Sequence, residues 1–283
     1  MLSKFKGRLP EMGFDRYRSV LDTIIAGGRF RNLILSGGEV TTFAHLEKYV
    51  NYAASLGWFD TIQIQTNGRR LSDRKYLDRL IRCGVNEFFV SIHGIGDTHD
   101  RATGIAGSFE EVLRGLANLS LYTVKVISNT VLTKNNIAEL KEFLRFVAAH
   151  SAEEIHLWNY FPMEPRDTRD LLVRCTDVVR ILPELKEIVK AAGKTMVLKS
   201  FPLCLYEGPP VFFDSVFPAT VLPDLFWREF GKSGFGRCPY RERGECTNLE
   251  CWGLSSAYME KYGNERALLK PIGRSIPKAT AAG

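Results

Sequence analysis

Four of the six cysteines are the residues of this 283-residue chain whose types and spacing most clearly suggest chemistry. Cys204, Cys238, Cys246 and Cys251 crowd into the last third, with seven residues between the second and third and four between the third and fourth. Clustered thiols in a chain without a secretory signal favour metal binding over disulfides. Four thiolates suit either tetrahedral zinc or an iron–sulfur cluster. The spacing is looser than the paired C-x2-C of a zinc ribbon, so zinc is the weaker choice, and unligated structural cysteines are the third alternative.

A second candidate site is the tetrapeptide Ser36-Gly37-Gly38-Glu39. It closes the apolar run Leu33–Leu35 and comes just before an amphipathic segment, Phe43–Leu56. Glycine lets a ligand approach the backbone, and a carboxylate accepts hydrogen bonds from an ammonium or hydroxyl group. In parallel α/β folds ligands bind where strands end, which favours a ligand site here. A plain structural turn is the alternative.

Short β-branched or aromatic runs alternate with longer amphipathic segments along the chain. The predicted helices are Phe14–Ile25, Phe43–Leu56, Asp73–Cys83, Ser108–Leu119, Ile137–His150 and Thr176–Ala192. The predicted strands are Asn32–Leu35, Thr61–Gln65, Glu87–Ile92, Val124–Val131, Glu154–Tyr160 and Thr195–Lys199. Ser72, Ser108 with Glu111, and Gly84 are predicted to cap helices. Cys83 and Cys175 fall within or beside these helices and are expected to be small buried residues.

Alternating strands and helices predict a parallel sheet with crossover helices, because parallel neighbours need long connections. The first helix has no strand before it, so the pattern indicates most of a barrel whose first strand is missing. After Lys199 prolines and aromatics become frequent, and regular structure is expected to stop. We therefore predict a barrel over residues 1–199 and a small irregular metal-binding extension with a basic tail over residues 200–283.

Composition limits the class of protein. Hydrophobic residues make up 45% of the chain and charged residues 25%, as in ordinary globular proteins. No apolar run approaches the length of a membrane span, and the N-terminus lacks a secretory signal, so we expect a cytoplasmic protein. The net charge of +6 is scattered or lies in the tail, and no nucleic-acid module is visible, so a nucleic-acid partner is not expected.

Polar residues recur at the predicted strand ends while the strand interiors stay apolar. Besides the glycine turn, these ends are Thr66-Asn67-Gly68, Ser91-Ile92-His93-Gly94, Ser128-Asn129-Thr130 and Trp158-Asn159-Tyr160. Carboxyl ends of parallel strands meet at one rim, so these groups are expected to converge. Hydroxyls, amides and one carboxylate on one rim suit a polar metabolite with ammonium, carboxylate and ribose groups. Polar turn chemistry alone is the alternative.

In order and spacing, these strand ends resemble the radical S-adenosylmethionine (SAM) superfamily. Ser36–Glu39 resembles its Gly-Gly-Glu segment at the end of the second strand, and Ile62–Gly68 resembles its third strand with the "TNG" end. Phe88–Gly94, followed by His99, Asp100 and Gly107-Ser108-Phe109, resembles the fourth strand and its helix, and Ser128–Val131 resembles the fifth. The resemblance covers about residues 14–192 and implies a partial (βα)6 TIM-like barrel.

The resemblance also implies roles for individual residues. Glu39 and the carbonyl of Gly37 would hold the SAM ammonium group, with Gly38 and Asn67 beside them. Ser91 and Asn129 would reach the carboxylate or ribose of SAM. His93 is interpreted as a structural histidine, with a substrate-facing acid or base as the alternative.

The defining motif of that superfamily, a C-x3-C-x2-C loop binding a [4Fe-4S] cluster, does not occur before Cys83, the first cysteine of the sequence. One hypothesis is that the loop and first strand belong to a longer protein and are missing from this sequence. The other is a degenerate member that has lost its cluster. Drift would remove cysteines but not a strand, which favours the first.

The surroundings of the C-terminal cysteines, Phe201–Leu205 and Cys251–Leu254 followed by Tyr258 and Tyr262, resemble the SPASM or twitch appendages that hold an auxiliary [4Fe-4S] cluster. The expected ligands are Cys204, Cys238, Cys246 and Cys251. A sparse apolar core after Lys199 also suggests that a metal folds this part.

The resemblance implies an enzyme that cleaves SAM reductively and abstracts hydrogen from a substrate, in peptide modification or cofactor maturation, with flavodoxin or ferredoxin as electron donor. That activity depends on the missing cluster loop existing in the full-length protein. A catalytically silent SAM-fold scaffold, stabilised by its C-terminal metal, is the alternative. A phosphate-binding TIM-barrel enzyme is less favoured because eight units are not visible. The sequence does not identify the substrate or the oligomeric state.

Overall fold

A single parallel sheet organises the computed structural model, which describes residues 10–150, 152–205, 211–214, 219–235, 238–248 and 251–271. Its seven strands follow one another in chain order, each hydrogen-bonded to the next. The first and last strands form the edges of the described sheet, which is therefore open. The predicted α/β fold class, a partial TIM-like barrel, is confirmed.

The bounds of the elements are close to those predicted for the barrel. The strands are β1 Asn32–Leu35, β2 Thr61–Thr66, β3 Glu87–Ser91, β4 Lys125–Leu132, β5 Glu154–Asn159, β6 Thr195–Lys199 and β7 Val211–Asp214. The helices are α1 Phe14–Gly27, α2 Leu46–Ser55, α3 Arg74–Cys83, α4 Asp97–Thr103, α5 Ser108–Leu119, α6 Leu140–Ala149, α7 Cys175–Ala191, α8 Asp224–Gly231, α9 Pro239–Glu242 and α10 Ser256–Tyr262.

Two predicted helices begin with tighter turns instead of α-helix. The segment predicted as Phe43–Leu56 is helical only over α2, and a 3-10 turn, Val40–Thr42, precedes it. The carboxylate of Glu39 accepts from the amide of Thr41 and so caps this turn. A 3-10 turn, Ile137–Glu139, likewise precedes α6.

Two of the predicted helix caps are wrong. Asp73, not Ser72, caps α3, because its carboxylate accepts from the amides of Lys75 and Tyr76 at 2.9 and 3.2 Å. Ser108 does not accept the capping bond of α5, whose N-cap is Gly107.

The carboxylate of Asp100 in α4 supplies the missing cap of α5. It accepts from the amides of Phe109 (2.8 Å) and Gly107 (2.5 Å) and from the Ser108 hydroxyl (2.9 Å). These bonds hold the pKa of Asp100 below its usual value, and the bond from the amide of Phe109 contributes most.

The structure adds elements that the sequence pattern did not predict. The short helix α4 lies between β3 and α5, and α8 and β7 lie in the Pro-rich stretch where regular structure was expected to stop. Lys199 at the end of β6 pairs in register with Asp214 of β7. The sheet thus continues past the predicted boundary, and the division at residues 199 and 200 stays a prediction.

The two faces of the sheet differ in chemistry. Leu33, Ile64, Val90 and other apolar residues of the outer face pack against the helices in the main core. The alternate residues face the inside of the curved sheet, which we call the lumen. A second, smaller apolar cluster contains Phe161, Met163 and Phe226. None of the described helices is both long and apolar enough to cross a membrane.

Candidate functional site

The glycine turn after β1 exposes backbone at the carboxyl rim of the sheet. Gly37 and Gly38 are exposed, and no atom of the described residues lies within 4 Å of where a Cβ would sit on either one. Neither glycine has a positive φ, so the backbone conformation itself does not require glycine. What glycine provides here is close access for a ligand. This open cradle fits the predicted approach of SAM to the turn.

Glu39 ties this turn to the end of β2. Its Oε1 accepts from the amide (3.1 Å) and hydroxyl (2.6 Å) of Thr41 and from the hydroxyl of Thr66 (2.6 Å). Its Oε2 accepts from the amide of Asn67 at 2.7 Å. Each carboxylate oxygen offers about two acceptor positions, so Oε1 is fully used, whereas Oε2 keeps one position for a further donor. A ligand ammonium can use that position, and the predicted contact of Glu39 with SAM stays a prediction.

Asn67 also acts within the rim. Its Oδ1 accepts from the amide of Arg69 at 3.1 Å and starts the turn into α3. Gly68 next to it has a φ of 75°, and a Cβ there would lie 2.7 Å from Val90. Asn67 and Gly68 therefore both have a role in forming this turn. Contact of Asn67 with a ligand stays a prediction.

Ser91 and Asn129 lie side by side on β3 and β4, as predicted from their strand ends. They are paired in register, and the amide Nδ2 of Asn129 contacts the Ser91 hydroxyl at 3.5 Å. The Oδ1 of Asn129 is buried and has no hydrogen-bond partner. An orphaned buried acceptor is costly unless something donates to it. A ribose hydroxyl or an ammonium group would satisfy it.

His93 and His99 form a stacked pair beside this rim, with ring centroids 6.0 Å apart. The amide of His93 donates to Nδ1 of His99 at 3.0 Å, and the amide of Val131 donates to Nδ1 of His93 at 3.3 Å. Since each Nδ1 accepts, each neutral ring carries its proton on Nε2. Burial, with His99 adding, lowers the pKa of His93 to about 4. These bonds favour the structural interpretation of His93.

A polar chain across the lumen was not predicted. The hydroxyl of Ser36 donates to Gln65 at 2.9 Å, and Gln65 donates to Gln63 at 3.2 Å. Gln63 in turn donates to Glu87, which pairs with Lys125 at 3.1 Å. The chain links the glycine turn to the opposite end of the sheet. Its sequence signal was the alternation Ile62-Gln63-Ile64-Gln65, which places polar side chains inside the barrel.

A second polar group, on β5 to β7, was also missed. The Nδ1 of His156 and the indole N–H of Trp158 are buried without hydrogen-bond partners. The other ring nitrogen of His156 bonds to Glu154, and Lys199 pairs with Asp214 across β6 and β7. Register aligns Trp158 with Lys199, whose ammonium lies 5.9 Å from the Trp158 ring. We call these five residues the lumen wall.

The four predicted cysteine ligands converge. Cys204, Cys238, Cys246 and Cys251 all line one cavity of about 430 Å³, a volume that includes the space at its mouth. Cys204 lies in a 3-10 turn just after β6, and Cys238 is the N-cap of α9. The sulfur of Cys251 accepts from the amides of Leu203 (3.4 Å) and Gly253 (3.3 Å). Burial, with Cys251 and Cys238 adding, raises the pKa of Cys204 to about 11.

The spread of these thiols bears on what they could hold. A tetrahedral zinc ion with Zn–S bonds of about 2.3 Å needs sulfurs only ~3.8 Å apart. Among the described residues no three His, Cys, Asp or Glu side chains are grouped closely enough for one metal ion. Four soft thiol donors that line one cavity suit either an iron–sulfur cluster or a zinc ion.

The rim that would bind SAM has no cysteine of its own. Cys83 ends α3, at the end of the sheet opposite the glycine turn. Cys175 is fully buried at the start of α7, where its amide donates to the Tyr258 hydroxyl at 2.6 Å. The described rim residues therefore fit SAM but do not fit a SAM-ligating [4Fe-4S] cluster.

Comparisons with known proteins bear on the whole arrangement. The family model "Radical SAM superfamily" matches residues 3–147. The "AdoMet-dependent heme synthase" of Methanosarcina barkeri (strain Fusaro / DSM 804) is 29% identical over 181 residues, which cover 64% of this chain and 50% of that protein. The "Sporulation killing factor maturation protein SkfB" of Bacillus subtilis (strain 168) is 26% identical over 132 residues, or 47% of this chain and 31% of that protein.

A solved structure, "Native anSMEcpe with bound AdoMet and Cp18Cys peptide", shares the fold with a TM-score of 0.52 and 15% identity over 66% of this chain and 55% of that one. At that identity the likeness concerns the fold alone. The chain spans about half, or less, of the length of the curated relatives named above. Nothing in these comparisons points to a scaffold protein.

Proposed function

Because this chain belongs to the radical SAM superfamily, whose members use SAM and [4Fe-4S] clusters, we propose that it is the SAM-binding and auxiliary-cluster-carrying part of a radical SAM enzyme. The rim formed by β1 to β4 binds SAM. The residues after β6 bind an auxiliary [4Fe-4S] cluster. Hydrogen abstraction from a substrate is the activity that this family membership favours.

The observation that carries the proposal is the convergence of four cysteines on one cavity. They are spread from residue 204 to residue 251, and they share a cavity that sequence proximity alone would not produce. Four thiol donors on one cavity suit an iron–sulfur cluster, and the use of [4Fe-4S] clusters by this family favours such a cluster over zinc.

SAM binding is supported by the open backbone of Gly37 and Gly38 and by the orphaned Oδ1 of Asn129. We assign the ammonium group to the glycine turn. To Ser91 and Asn129 we assign the ribose, whose hydroxyl can donate to this Oδ1, or the carboxylate, which can accept from the Ser91 hydroxyl. Glu39 holds the turn through four hydrogen bonds, so its first role is to position the backbone that SAM meets.

Reductive SAM cleavage needs the electron that a SAM-ligating cluster supplies. The described rim offers no thiolate for that cluster, so no cleavage step is assigned to residues of this chain. The chain's own residues bind and orient SAM and keep the adjoining lumen polar. Radical SAM enzymes need a reductant, and we propose flavodoxin or ferredoxin as the donor.

The substrate would meet the lumen wall opposite the glycine turn. The partnerless polar atoms of His156 and Trp158 and the paired charges of Lys199 and Asp214 suit a substrate with hydrogen-bonding and charged groups. The named relatives act in heme synthesis and in maturation of a sporulation killing factor. We therefore propose cofactor maturation or peptide modification as the reaction class, in the cytoplasm.

The test is an anaerobic reconstitution of this chain with iron and sulfide, followed by an iron and sulfide count. We expect about four irons per chain. The double variant Cys238→Ala/Cys246→Ala should lose them, whereas Cys83→Ala, which removes a thiol at the far end of the sheet, should keep them. One zinc per chain without iron would refute the auxiliary cluster.

A further inference from the structure

The cavity of the four cysteines contains one charged side chain among its described lining residues, that of Arg241. Arg241 belongs to the short helix α9 that begins after Cys238. Its Nη2 donates to the carbonyl of Asn248 at 3.0 Å and to the carbonyl of Cys251. One guanidinium group therefore joins α9 to the loop that carries Cys251.

The Nε of Arg241 is buried and has no hydrogen-bond partner. A guanidinium stays charged at any physiological pH and carries five N–H donors, of which Nε holds one. A buried unsatisfied donor on a cation is expensive, and the cost is greatest where the surroundings are apolar. A hydrogen-bond acceptor with negative charge at the cavity would remove this cost.

An iron–sulfur cluster is such an acceptor. Four thiolates around a [4Fe-4S]²⁺ core give the assembly a net charge of −2, and its sulfurs accept hydrogen bonds. Burying that charge requires compensation from nearby donors and cations. Two backbone amides already donate to the Cys251 sulfur, those of Leu203 and Gly253. The described cavity lining offers Arg241 as the formal positive charge.

We propose that Arg241 is the counter-charge of the auxiliary cluster and donates a hydrogen bond from Nε to one of its sulfurs. The proposal rests on the proposed function, because it requires a cluster at these cysteines. Hydrogen bonds and positive charge at cluster sulfurs stabilise the reduced, more negative state and so raise the reduction potential. Arg241 therefore raises the reduction potential of the cluster through its charge and its hydrogen bond.

The test compares reconstituted full chains by iron content and by a redox titration followed by electron paramagnetic resonance. Arg241→Gln should lower the midpoint potential, and Arg241→Lys should give an intermediate value because it restores the charge without the guanidinium geometry. Arg243→Gln is the matched control, since Arg243 lies at the end of the same helix and pairs with Glu245 at the surface. It should match the parent chain.

The outcomes separate the two claims. If the parent binds four irons and Arg241→Gln keeps both its iron content and its midpoint potential, the assignment of Arg241 is overturned while the cluster stands. Loss of iron in Arg241→Gln but not in Arg241→Lys supports the counter-charge role. Loss of iron in both, with folding preserved by circular dichroism, overturns the counter-charge role, because the charge of lysine then fails to retain the cluster. If the parent takes up no iron, the proposed function fails and this inference falls with it.

Discussion

At the residue scale, the backbone of the glycine turn does not itself require glycine at position 37 or 38. A glycine in a turn is often explained by a positive φ, as at Gly68. Gly37 and Gly38 have neither a positive φ nor a neighbour within 4 Å. The protein alone would therefore accept alanine at both positions. Glycine at both positions is what a ligand that approaches the backbone would require, and ligand contact there stays a prediction.

This difference gives a direct test of the SAM site. Gly37→Ala and Gly38→Ala should fold with the thermal stability of the parent, because the added methyl meets no described atom. Both should weaken SAM binding at least tenfold, measured by equilibrium dialysis with labelled SAM, because the methyl occupies ligand space. Gly27→Ala, at the end of α1 and equally unobstructed, is the control and should bind as the parent does. Parent-like affinity in both rim variants would remove SAM from this turn.

Glu39 is expected to behave differently from the glycines. Glu39→Gln replaces an acceptor of four hydrogen bonds, two of them from backbone amides, so we expect destabilisation of about 1–3 kcal/mol together with weaker SAM binding. Thr66→Val leaves the carboxylate untouched but removes one of the same bonds, together with the bond that the Thr66 hydroxyl accepts from the amide of Gly68 at 3.1 Å. Chemical denaturation and dialysis of both variants separate turn stability from ligand contact. A Glu39→Gln chain as stable as the parent would contradict the positioning role.

At the element scale, the regular parts of the barrel were predictable because apolar residues recur in each strand or helix with the spacing typical of that element. The strands β1 and β6 have the predicted bounds, since β-branched and apolar residues fill them and turn residues bound them. The cap of α5 was not predictable, because Asp100 reaches it from another helix. β7 was missed because the prolines around it, such as Pro209 and Pro210, indicated irregular structure, whereas its pairing with β6 makes it a strand.

The candidate site shows the same division. The alternation of strands and helices places Ser91 and Asn129 at strand ends, so the sequence predicted that they lie close together. The structure pairs them in register on β3 and β4. The hydrogen bonds of Glu39 with Thr41, Thr66 and Asn67 depend on side-chain rotamers across two strand ends, which no spacing rule encodes. The lumen wall was missed because Lys199 and Asp214 meet only through the pairing of β6 with β7, which the sequence pattern did not predict.

The junction of β3 and β4 provides a pH prediction. The pKa of His93 is lowered from 6.5 to about 4, mainly by burial. Between those values the unfolded chain binds a proton that the folded chain does not, so stability falls as pH drops from 6.5 to 4. At 1.36 kcal/mol per pKa unit the contribution is roughly 3 kcal/mol at most. His93→Gln should flatten this slope in urea unfolding series, and the exposed His45→Gln should not. Equal slopes in both variants would contradict the buried neutral His93.

At the scale of the whole molecule, the C-terminal residues are joined to the barrel by two kinds of contact. The first is protein packing: Tyr258 and Leu254 belong to the main core, and Lys261 pairs with Asp167 at 2.5 Å. The second would be the cluster itself, whose ligands would include Cys204, just after β6, and Cys246, more than forty residues later in the chain. None of the described residues 243–248 belongs to either apolar cluster, so the metal should matter most for them.

Hydrogen–deuterium exchange of iron-loaded and chelator-treated chain tests this division. We expect amides of residues 238–248 to exchange at least tenfold faster after iron removal, because structural metal binding supplies folding free energy where no core does. Amides of β2 to β4 should keep their protection, since the main core covers them without metal. The Cys83→Ala chain, which keeps all four cysteines of the cavity, is treated identically and should give the same exchange pattern as the parent. Uniform loss of protection throughout the sheet would mean that the cluster stabilises the barrel as one cooperative unit, and no change anywhere would mean that protein contacts alone hold residues 238–248.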